Sequence, residues 1–110
     1  MPSTDTTIVL VTGANTGLGL ETVKALLRSE QRYHILLSGR DIDKARQAAA
    51  DVEKEIQAGN EVTPLQLDVE SDESIQAAHD LVAAKFGRID VLINNAGKVH
   101  VSFCVLSAQF

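Results

Sequence analysis

The chain has one cysteine, Cys104, in 110 residues. That excludes an internal disulfide and a cysteine-based metal site. Its three histidines, His34, His79 and His100, lack a second ligand at metal spacing, so no metal site is expected. No apolar run reaches the length needed to cross a bilayer. The N-terminal MPSTDTT has neither the basic region nor the apolar core of a secretory signal. Lys and Arg number 10 against 15 Asp and Glu, a net charge of −5 without any basic run, which argues against a nucleic-acid partner. Repeats, low-complexity tracts and interdomain linkers are also missing. One domain over residues 1–110 is expected, in a cytoplasmic protein with no membrane partner.

What the chain does have is a patterned start, IVLVTGANTGLGLE, over residues 8–21. Ile8 to Val11 is the short, β-branched apolar run of a strand buried on both faces. Gly13, Gly17 and Gly19 follow, and a helical pattern with Leu20, Val23 and Leu27 begins at Gly17. A strand entering a glycine-rich turn at a helix N-terminus is a place for phosphate. The first-turn N–H groups lack partners, the helix dipole favours negative charge, and glycine lets the backbone approach a ligand. The expected role is a cradle for the pyrophosphate of a dinucleotide, formed by Gly13, Asn15, Thr16, Gly17, Leu18 and Gly19. The bland alternative is a tight strand-to-helix turn without a ligand.

Strands and helices alternate along the rest. Strands are expected at Thr7–Thr12, His34–Ser38, Val62–Leu67 and Ile89–Asn94. The second helix presents Ala45, Ala49, Val52 and Ile56 on one face, capped by Asp41 and ended by Gly59-Asn60 in a left-handed turn. The third presents Ile75, Ala78, Val82 and Phe86, capped by Ser71 or Asp72 and stopped by Gly87. Pro64 places strand three at a sheet edge, because proline cannot donate to a ladder. The alternation predicts an α/β fold with a parallel, Rossmann-like, doubly wound sheet of order 3-2-1-4.

With Thr12 in front, the glycines read Thr-Gly-x3-Gly-x-Gly, and Asn94-Asn95-Ala96-Gly97 follows the fourth strand. These two motifs resemble the short-chain dehydrogenase/reductase family over residues 7–97. The segments VTGANTGLGLETV, LLSGRD and LQLDV most resemble its carbonyl-reductase-like members. The resemblance implies reduction of a small carbonyl compound, or oxidation of an alcohol, with a nicotinamide cofactor. It further implies that Asp68 and Val69 meet the adenine ring, and that Asn94, Asn95, Ala96 and Gly97 line the cofactor ribose. Strand two ends Ser38-Gly39-Arg40. Gly39 stands where NAD-preferring members carry an acid, and Arg40 where NADP-preferring members carry a base. A guanidinium pairs with a 2′-phosphate that a carboxylate would repel, so NADP is expected over NAD.

The family also uses a serine and a Tyr-x3-Lys pair beyond the fourth strand. The one tyrosine here is Tyr33, and Leu37 stands four positions on. No catalytic residue is assigned. Residues 98–110 form an atypical tail, in which Val99, Val101, Phe103 and Val105 alternate. The expectation is a truncated product or incomplete gene model: a cofactor-binding half, inactive alone, that self-associates through strand four as an exposed apolar edge. The rival readings are a non-catalytic nucleotide-binding or regulatory domain and a product without function.

Overall fold

A computed structural model describes residues 6–14, 17–29, 31–56 and 59–93. Seven elements alternate along it: β1 (Thr7–Val11), α1 (Gly17–Leu27), β2 (Tyr33–Gly39), α2 (Ile42–Glu53), β3 (Glu61–Gln66), α3 (Asp72–Lys85) and β4 (Val91–Ile93). All strand pairings are parallel, and the sheet order is β3-β2-β1-β4. The expected α/β class and strand order are therefore observed, with Pro64 on an edge strand.

The unbroken apolar strands have a direct cause. Side chains alternate across a strand, and here each face has its own core. Val9, Val11, Ile35 and Leu37 pack with Val23 and Leu27 of α1 and with Ala45, Ala49 and Val52 of α2. Ile8, Leu10 and Leu36 point the other way, onto Ala78 and Val82 of α3, with Phe86 and Ile89 beyond it. Burying both faces fixes the register, since a one-residue slip would exchange the two cores.

The helices start as expected. Asp41 caps α2, its carboxylate accepting from the N–H groups of Asp43 and Lys44 at 2.9 and 3.4 Å. Ser71, rather than Asp72, caps α3 by accepting from Ser74 N.

Several ends differ from expectation. Helix α2 stops at Glu53, so Ile56 lies beyond it, though it still packs against the same core. Gly59 has the left-handed φ of +95°, yet Asn60 closes a different helix. Its buried side-chain amide donates to the carbonyls of Leu27 and Ser29 at the end of α1, both at 3.0 Å, and accepts from Tyr33 N at 2.7 Å. One side chain thus satisfies the orphan carbonyls of α1 and the first N–H of β2. Helix α1 ends at Leu27. Strand β1 ends at Val11, one residue short of expectation, although Thr12 N still donates to Ile93 O at 3.0 Å. Strand β4 begins at Val91, with Ile89 buried in the core on the α3 side. Among the described residues β4 is an outer strand, and Val91 and Leu92 are 42% and 38% exposed.

Candidate functional site

Parallel strands gather their carboxyl ends on one edge of the sheet, where open α/β sheets bind ligands. Gly13 follows β1, Arg40 follows β2, and Asp68 and Val69 follow β3. Backbone bonds lock the ends in step. Ala14 N donates to Ser38 O at 2.8 Å, and Leu67 N donates to Gly39 O at 2.9 Å.

Gly13 and Gly17 have φ of +58° and +62°, the left-handed region costly to other residues. Among the described residues, a Cβ built on Gly17 would meet nothing within 4 Å. Gly19 is buried, and Leu18 is 78% exposed. Asn15 and Thr16 lie outside the described residues, as do Asn94, Asn95, Ala96 and Gly97.

The three helix starts differ in charge. Helix α2 has Asp43 in its first turn, and α3 has Asp72 and Glu73. Helix α1 has no acidic residue there. An acidic side chain in the first turn offsets the positive end of the dipole. At α1 no first-turn carboxylate offsets that end, an arrangement in which an anion would be favoured.

Arg40 is exposed, and its carbonyl accepts from Gln66 Nε2 at 3.3 Å. The neighbouring Asp41 does not compete for it, since the Asp41 carboxylate faces the first turn of α2. Asp68 is half-buried and shapes its own turn. Its Oδ1 accepts from Glu70 N at 3.0 Å, while its N–H donates to Ser74 Oγ at 2.8 Å. Val69 is half-buried against the core on the α3 side.

Sequence reasoning passed over Ser38. Its Oγ donates to Val11 O at 2.7 Å inside the sheet. A serine closing an apolar strand reads as an ordinary strand end, and nothing local marks its partner 27 residues earlier.

A cleft of about 550 Å³ opens at the other end of the sheet, bordered by His34, Asn60, Glu61 and Thr63. His34 is buried there, with its ring edge-on to Phe86 at 4.8 Å. Its Nδ1 lies 3.0 Å from Glu61 Oε2. A carboxylate only accepts, so Nδ1 carries the proton and Nε2 accepts from the Thr63 hydroxyl at 2.7 Å. Burial pushes the His34 pKa down from its ordinary value, against the opposing pull of Glu61. Tyr33 is near this end too, its hydroxyl donating to Gln31 Oε1. Neither residue approaches the glycine loop. No group of metal ligands occurs among the described residues, and no described helix is long and apolar enough to cross a membrane.

Comparison with known proteins decides the family. The chain matches the short chain dehydrogenase family over residues 7–108, which includes most of the segment after Gly97. It belongs to that family. It is 38% identical over 98 residues to short-chain dehydrogenase/reductase tropE of Talaromyces stipitatus, covering 88% of this chain and 37% of that one. Menthone neomenthol reductase from Mentha piperita superposes with a TM-score of 0.76 at 36% identity, over 84% of this chain and 32% of that one. L-sorbose reductase from Gluconobacter frateurii, solved with NADPH and L-sorbose, gives 0.74 at 28% identity, over 87% and 35%. The chain thus spans about a third of the length of the curated relatives it matches.

Proposed function

We infer that this chain is the NADP(H)-binding part of a short-chain dehydrogenase/reductase that reduces a small carbonyl compound or oxidises the corresponding alcohol. The observation that carries this reading is the left-handed Gly17 at the start of α1, whose first turn has no acidic residue. Gly13, Gly17 and Gly19 would hold the pyrophosphate. Arg40, exposed after β2 and free of competition from Asp41, would meet the 2′-phosphate. Asp68 and Val69 would border the adenine. The bound cofactor supplies the hydride. The residues of this chain bind and orient it.

The proton that must accompany the hydride is a separate matter. General acid catalysis contributes a factor of about 100 to 10,000. Tyr33, the single tyrosine, stands at the amino end of β2, remote from the loop, and is not followed by a lysine four positions on. These 110 residues alone are therefore expected to bind cofactor without useful turnover. Among the described residues β4 is the outer strand, and its exposed Val91 and Leu92 favour self-association through that edge. Titration with NADPH and NADH, an NADPH-oxidation assay over aldehydes and ketones, and light scattering test the three parts. Equal affinity for the two cofactors, ordinary dehydrogenase rates, or a monomer would each contradict the corresponding part.

A further inference from the structure

We propose that Ser38 is a positioning residue for the pyrophosphate cradle, acting through the backbone of the glycine loop. The inference rests on the assignment of that loop to NADP(H).

Ser38 is 0% exposed and directly follows the buried Ile35, Leu36 and Leu37. A hydroxyl in such a place costs stability unless it is hydrogen-bonded. It is bonded to one specific atom, the carbonyl oxygen of Val11, the last residue of β1, at 2.7 Å. The carbonyl of the same serine accepts from Ala14 N at 2.8 Å, and Ala14 is also 0% exposed. One residue of β2 therefore holds the loop at both ends of its first turn, with left-handed Gly13 between the two ties. From the opposite side, Ile93 O of β4 accepts from Thr12 N at 3.0 Å. The chain leaving β1 is clamped between its two neighbouring strands.

The two ties differ in what the sequence can alter. The bond from Ala14 N is backbone to backbone, available to most residues at position 38. The bond to Val11 O needs a side-chain donor of short reach. Ser38→Ala deletes it alone, keeping the Ala14 and Thr12 backbone bonds and the β1–β2 pairing, and removes the one side-chain tie that fixes the Val11 carbonyl where the chain enters the loop. A cradle that works by fixed backbone N–H groups loses affinity when its geometry loosens. The effect should fall on ligands with a pyrophosphate, and spare a ligand held only by its adenosine and 2′-phosphate.

The test is titration of the chain with NADPH and with adenosine 2′-monophosphate, which has no phosphate on its 5′ carbon. Ser38→Ala should weaken NADPH about tenfold and leave the monophosphate unchanged. Ser38→Thr, which restores the hydroxyl, should recover NADPH affinity. Equal weakening of both ligands would show general loosening of the fold and overturn the proposal, as would unchanged NADPH affinity in Ser38→Ala. Gly17→Val, measured alongside, separates this from the parent reading. If Gly17→Val loses NADPH and Ser38→Ala keeps it, only the role of Ser38 fails. If Gly17→Val keeps wild-type affinity, the loop is not the cradle and both fail.

Discussion

Ile8 and Asp90 exchange two hydrogen bonds across the β1–β4 boundary. The Ile8 N–H donates to Asp90 Oδ2 at 2.8 Å, and Asp90 N donates to Ile8 O at 2.9 Å. Arg88 steadies the carboxylate, its Nε 3.1 Å from Oδ2, and its Nη2 donates to Thr6 O at 2.6 Å. The residues before β4 thereby set its register against β1, three residues short of the Thr12–Ile93 bond that borders the glycine loop.

Asp90→Ala would leave the N–H of fully buried Ile8 without its carboxylate acceptor. An unsatisfied buried donor costs about 1–3 kcal/mol, so the urea midpoint should fall accordingly. Asp90→Asn keeps an acceptor and should lose less. Equal losses for the two variants would place the stabilisation in the charge pairing with Arg88 instead.

Gly17→Ala separates backbone strain from ligand exclusion. Its Cβ meets no atom of the described residues, so the expected cost to the fold is that of the left-handed φ, about 1–2 kcal/mol. The variant should remain folded by circular dichroism. Its NADPH affinity should drop well beyond what the small loss of stability accounts for, because the added carbon enters the ligand's space.

How much of this was legible in the sequence depends on the range of each interaction. The β1–loop–α1 unit is written locally in Ile8–Val11 and the three glycines, and Pro64 announced the edge strand. Asp41 and Ser71 bond within their own helices, and both caps were readable. Asn60 was not. It sits beside Gly59, and its neighbours suggest a helix end close by, but its amide reaches α1 over 33 residues. Ser38 and Asp90 escaped for the same reason. A side chain that bonds a distant backbone leaves no periodic trace.

His34 predicts how stability depends on pH. Burial lowers its pKa in the folded chain, so between its folded and unfolded values the unfolded chain binds more protons. Its contribution is present above the unfolded pKa of about 6.5 and is lost as pH falls through the folded value. Denaturation midpoints should decline as pH falls below about 6.5, and His34→Gln should flatten that slope. An unchanged slope would mean that other groups titrate there.

The central claim is that the glycine loop and Arg40 together hold NADP(H). Its most direct test is fluorescence titration of the wild-type chain and Arg40→Ala with NADPH and NADH. Removing a charge-assisted contact worth about 1.5–3 kcal/mol should weaken NADPH roughly tenfold or more and leave NADH nearly unchanged. A wild-type chain that binds the two cofactors equally, with Arg40→Ala altering neither, would contradict the account.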